Sequence, residues 1–140
     1  MTHTRIRPFN TAETYPEQNL SNDLAQAVVA RGTVVFLRGQ VAQDLDTSEN
    51  IGSHDPGQQT HKVMQNIQLL LSEAGSEMGH ICRIVVYLTD IRYREAVYRA
   101  MGEYLTGVHP VSTGIVVPAL ARPEWLVEIE ATAVIPEENQ

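Results

Sequence analysis

With 140 residues, 43% apolar and 19% charged, the chain fits one domain spanning 1–140 and can bury a core without a disulfide or metal staple. A net charge of −7, with nine arginines but a single lysine, Lys62, is the wrong balance for wrapping phosphates, so a nucleic-acid partner is not expected. The single cysteine cannot form an internal disulfide, no stretch approaches the roughly 20 apolar residues that cross a bilayer, and Met1-Thr2-His3-Thr4-Arg5 leads into no hydrophobic segment; a cytoplasmic protein without a membrane partner is expected.

Residues 1–23 are polar and carry Pro8 and Pro16, so they read as an irregular arm with one short strand at most. The apolar runs Leu24–Ala30 and Thr33–Val41 flank Arg31-Gly32, which is a hairpin signal with Gly32 free to take positive φ. A polar loop, Gln43–Pro56, follows. Asp55-Pro56 then caps and opens a helix whose apolar positions Val63, Ile67, Leu70, Leu71 and Ala74 recur at helical spacing, with Gly75 as the stop.

Ile81–Leu88 is rich in β-branched residues and reads as a strand. Thr89-Asp90 ends it and offers a cap to a second helix marked by Tyr93, Val97, Met101, Tyr104 and Leu105 and closed by Gly107. Thr113–Val117 and Trp125–Val134 are two further strands. The order is β-β-α-β-α-β-β, an α+β mixed sheet with both helices on one face. Ile84–Leu88 and Ile115–Val117 do not alternate apolar with polar, as strands covered on both faces do. Two helices cover only one face, so the other is expected to meet further copies of the same chain.

Little of the usual site chemistry is present. The five histidines are scattered, with no His-x-His, no His-Glu-x-x-His and no cysteine partner, so no metal site is expected. No strand leads into a glycine-rich helix start, so no nucleotide loop and no other cofactor is expected either. Cys82 lies inside an apolar strand with no base beside it and reads as a small buried hydrophobe. Three features remain: Arg38-Gly39-Gln40, Ser112-Thr113-Gly114, and Glu128-Ile129-Glu130, whose period of two puts both carboxylates on one strand face.

Gly32-x-x-Val-Phe-x-x-Gly-Gln40, Gln59-Thr60 with Asn66-Ile67 in a helix ending Glu-Ala-Gly75, Tyr87-Leu-Thr-Asp90 and Leu-Val-Glu-Ile-Glu-Ala131 follow one another in an order and spacing that resemble the reactive intermediate deaminase family (RidA/YjgF-like, endoribonuclease L-PSP) from about Leu24 to Val134. The resemblance implies a chorismate-mutase-like fold and a homotrimer with a ligand cleft at each subunit interface. It also implies hydrolysis of enamines and imines such as 2-aminoacrylate, with no cofactor. In the family, an arginine in a Pro-Ala-Arg-Ser segment grips the substrate carboxylate bidentately, as a guanidinium fork suits, and the first glutamate of Glu-Ile-Glu positions the attacking water. Glu128 matches that glutamate.

Other positions depart from the pattern. Ser112 stands where the arginine would, and a hydroxyl cannot replace a charge clamp; such a loss costs about 2–5 kcal/mol, or roughly 30-fold to several thousand-fold in binding. The cleft tyrosine corresponds to Leu24, the cleft cysteine to Gly114 and the asparagine early in the second helix to Tyr98. Conversely, Arg38 replaces a cleft serine, and is expected to supply positive charge for a small anionic metabolite alongside Gly39 and Gln40. Two readings follow: an imine/enamine deaminase working through Glu128, or a non-catalytic small-ligand-binding trimer that has lost the arginine. A ribonuclease is disfavoured by the acidic charge and the lack of a histidine pair.

Overall fold

The computed structural model describes residues 1–138. Its centre is a four-stranded mixed sheet of β5 (Gly32–Phe36), β6 (Ile81–Leu88), β7 (Val111–Val116) and β8 (Val127–Pro136), in the order β5-β8-β6-β7. The β5/β8 and β8/β6 pairs are antiparallel; β6 and β7 are parallel, joined by a crossover through a helix. Both edges of this sheet, β5 and β7, have only one sheet neighbour.

Two helices cover one face: α2 (Pro56–Glu73) and α3 (Arg94–Gly102). The α2 start follows from its sequence. Asp55 Oδ1 accepts the Gln58 backbone N–H at 3.0 Å, Pro56 occupies the first helical position, and Gly75, at φ +78°, carries the chain away from the end. Val63, Met64, Ile67 and Leu71 of α2 and Val97 and Met101 of α3 form one cluster with Ile84, Val86 and Leu88 of β6 and Ile129, Ala131 and Ala133 of β8. Truncating one of the large members, such as Ile67, would cost about 2–5 kcal/mol.

The other sheet face is different. By the strand register it carries Val34 and Phe36 of β5, Glu128, Glu130 and Thr132 of β8, Arg83, Val85 and Tyr87 of β6, and Thr113 and Ile115 of β7. No helix of the described residues lies on it. Phe36 is 81% exposed, Val34 48% and Ile115 43%.

The expected hairpin does not form. The first run becomes β4 (Ala27–Val29), which pairs with β1 (Thr4–Ile6), whereas β5 pairs with β8. Gly32 therefore serves close approach rather than a turn: a Cβ there would overlap the Ile135 carbonyl. The N-terminal arm is also more ordered than its composition suggests, with β1, β2 (Phe9–Asn10) paired to β3 (Asp23–Leu24), and a four-residue helix α1 (Thr11–Thr14) capped by Asn10. A buried guanidinium anchors this arm: Arg5 donates to the carbonyls of Thr2, Gly79, Ile81 and His109. The second helix is shorter than its apolar spacing implies. Asp90 caps a separate turn, Ile91–Tyr93, and Tyr104 and Leu105 lie beyond the end of α3.

Candidate functional site

The sequence-derived candidates fall into two groups at opposite edges of the sheet. The first lies where β5 gives way to β8. After Phe36 the chain loses its regular ladder with β8, and Gln40 rejoins it through paired backbone bonds with Ile129, at 2.8 and 3.0 Å. The register between them slips by one residue, which lets the Arg38-Gly39 backbone ride over Glu128. Gly39 has a steric reason to be glycine, since a Cβ there would overlap Glu128 Oε2. Gln40 is buried, and its amide donates to the Arg38 carbonyl at 3.0 Å, so it holds the turn in place.

A groove opens here, lined by Phe36, Arg38, Gly39, Gln40, Trp125 and Glu128 among others, with a volume of about 360 Å³. Trp125 is fixed by an indole N–H bond to Asn50 Oδ1 at 3.0 Å and has the Arg122 guanidinium over its ring at 5.3 Å. The Glu128 carboxylate accepts no hydrogen bond from any described residue. Burial pushes its pKa up, the Arg38 guanidinium opposes that rise, and Glu130 adds to it. Glu130, by contrast, is engaged: it accepts the Tyr87 hydroxyl at 2.7 Å, which holds the phenol in its protonated form. Of the two carboxylates, Glu128 is thus the one free to work on a bound molecule.

The second group lies at the β7 edge. Gly114 faces α3, and a Cβ on it would collide with the Tyr98 hydroxyl and come within 3.0 Å of Arg94 Nη1. The two positions are coupled in space: the large Tyr98 on α3 occupies the volume that the small Gly114 leaves on β7. Ser112 is on the same strand face, opposite Ile84, and its Oγ is buried without a hydrogen-bond partner among the described residues. Leu24 lies at the head of this strand; its carbonyl accepts from His109 Nδ1 at 2.9 Å, and the next backbone N–H donates to Pro110.

Within one chain the two groups do not meet. β6 separates β8 from β7, about 10 Å across two strand spacings, and Glu128 projects from the open face while Ser112 and Gly114 project towards the helices. So Arg38, Gly39, Gln40 and Glu128 are brought together, Tyr98, Ser112 and Gly114 form a separate wall, and Leu24 borders the latter. Two participants escaped the sequence reading. Arg122 follows no motif, and Arg94 becomes visible only when α3 is placed over β7. Cys82 sits half-buried on a bulge of β6, and burial raises its pKa, which suits a packed thiol rather than a nucleophile. Among the described residues, no group of three or more potential ligands could hold a metal ion, and no helix is long and apolar enough to cross a membrane.

A mixed sheet with helices on one face, an acid-bearing groove at one edge and an aromatic wall at the other defines a class of small α+β domains. A family model described as endoribonuclease L-PSP matches residues 17–135, and the chain belongs to this family, whose members are also called Rid or YjgF proteins. Protein DfrA of Myxococcus xanthus is 36% identical over 79% of this chain and 83% of its own length. A RutC family protein of Pyrococcus abyssi is 31% identical over 73% and 79%. Among solved structures, a Rid-family protein from Yersinia pestis superposes with a TM-score of 0.74 at 29% identity, covering 96% of this chain and all of that one. RidA from the Antarctic bacterium Psychrobacter gives 0.68 at 27%, over 79% and 87%.

Proposed function

We propose that this protein is a cytoplasmic imine or enamine hydrolase acting on a small anionic metabolite, in a cleft formed between subunits of a homotrimer. The observation that carries the reading is the Glu128 carboxylate: raised in pKa, unengaged, and set in a groove beside Arg38 under a glycine that makes room for it. The separation of the two walls on opposite sheet edges supports the trimer. If three copies turn their open faces to a common axis, so that the β5 edge of one abuts the β7 edge of the next, the Glu128 wall of one comes beside the Tyr98–Gly114 wall of the next, and the exposed Phe36, Val34 and Ile115 lose water.

In this mechanism Glu128 takes a proton from a water that adds to the imine carbon. That proton passes to the imine nitrogen to complete a carbinolamine, which then collapses: Glu128 relays the hydroxyl proton to nitrogen as the C–N bond breaks, and a ketoacid and ammonia leave. Arg38, Gly39 and Gln40 form the bed for the substrate, Arg38 drawing an anion towards it. No cofactor is needed.

The test is a coupled assay in which 2-aminoacrylate is generated enzymatically and its loss followed. Glu128→Gln is expected to lower the rate by about 10²–10⁴-fold. Because the base must be ionised, the wild-type rate should fall as pH drops through the Glu128 pKa. That fall should begin above the ordinary glutamate value of about 4.3. Equal rates for the wild type and Glu128→Gln would overturn the reading. The rival reading, a ligand-binding trimer without catalysis, is favoured by Ser112 at the clamp position; it predicts silence in the wild type and turnover in Ser112→Arg.

A further inference from the structure

The vacancy at position 112 raises the question of what holds the substrate's negative charge, and the β7 edge contains a second guanidinium that no motif announces. Arg94 stands at the start of α3 with its Cζ 4.1 Å from the centroid of the Tyr98 ring. Stacking fixes the plane of a guanidinium while leaving its N–H edges free. Its neighbours are already paired: Arg92 binds Asp90 at 2.6 Å, and Arg99 binds Glu95 at 2.9 Å. Arg94 itself has neither an ion pair nor a hydrogen bond to any described residue. Glu17, the other acid in the adjoining groove, is not paired with it.

Its position is equally specific. A side chain at residue 114 would come within 3.0 Å of Arg94 Nη1 and collide with the Tyr98 hydroxyl, so the glycine lets both groups lie against the strand. The same strand face carries Ser112, whose buried Oγ has hydrogen-bonding capacity unused among the described residues, and the Tyr98 hydroxyl reaches this face from α3 at Gly114. Arg38 lines the Glu128 groove at the other edge of the sheet, so it does not reach this strand face within one chain.

We infer that Arg94, stacked on Tyr98 above Gly114, is the carboxylate clamp of this protein, moved from the β7 strand to the facing helix. The inference rests on the proposed function for its ligand class, a small carboxylate. Tyr98 is then a positioning residue, and Gly114 the position whose missing side chain lets the stacked pair lie against β7.

Isothermal titration with pyruvate, and separately with inorganic phosphate, tests this without turnover. Pyruvate is expected to bind the wild type, and Arg94→Gln to weaken it by about 30-fold or more. Arg94→Lys, which keeps the charge and is less demanding on folding, should weaken it by a smaller factor. Arg92→Gln, whose partner lies outside the site, should bind as the parent does. Adding Ser112→Arg to Arg94→Gln should recover binding by restoring a clamp on the strand. The inference is overturned if Arg94→Gln binds pyruvate like the parent, if only phosphate binds, or if neither anion binds. Arg94-dependent binding in a protein without turnover would sink the hydrolase and keep the clamp. Glu128-dependent turnover with Arg94-independent binding would do the reverse.

Discussion

The two edges of the central sheet are built to different rules. At the β5 edge, backbone geometry does the work: a slipped register, a glycine with no room for a methyl group, and a glutamine tied to a carbonyl fix where one carboxylate lies. At the β7 edge, side-chain volume does it: a tyrosine fills what a glycine vacates, and an arginine rests on the tyrosine. A family can keep the first kind of edge while remodelling the second, because exchanging side chains leaves the ladder intact. Here the backbone-built edge holds Glu128 and Gly39-Gln40, and the volume-built edge holds positions 98, 112 and 114.

The largest effect should come from separating the edges. Phe36→Asp places a charge on the most exposed large apolar side chain of the open face, beside the Glu128 groove. Light scattering is expected to show the mass falling from three chains to one, with turnover lost alongside it. An unchanged mass would break the idea that the two edges complete each other.

Next in size is the volume exchange at β7. Gly114→Cys alone should cost about 1–3 kcal/mol in a denaturant melt, because the new side chain meets Tyr98 and Arg94. Combined with Tyr98→Asn, the pair should recover most of that cost, giving a coupling of about 1 kcal/mol or more. Additive penalties would mean that the two positions are independent.

The smallest effect calibrates the others. Asp55→Ala removes the cap of α2 and should lower stability by about 1 kcal/mol, leaving mass and pyruvate affinity as they were, since α2 faces the core rather than either edge.

What the sequence discloses follows the range of the interaction. The α2 helix is legible because its cap, its apolar period and its stop are local, and the β6 and β8 strands because their β-branched runs are. The Arg31-Gly32 hairpin misleads because strand pairing is a non-local choice: two adjacent strands each find a better partner elsewhere, β1 and β8. The groove half of the site is legible through Arg38, Gly39, Gln40 and Glu128, which the β8 register gathers. Arg94 is not, because its meaning depends on a helix crossing a strand twenty residues away.

Arg5 gives the molecule a mechanical property as well as a static one. A single planar group grips the carbonyls of Gly79, Ile81 and His109 together with that of Thr2, so it ties the entry of β6 and the approach to β7 to the first strand of the fold. The β7 edge has one sheet neighbour along its length, and much of its stiffness is therefore imposed at its head by a residue from the other end of the chain. A lysine, with one charged nitrogen and no fork, could not brace all four points at once. A load on β7 would be met at its head by the Arg5 contact to His109, and through that same guanidinium by the first strand.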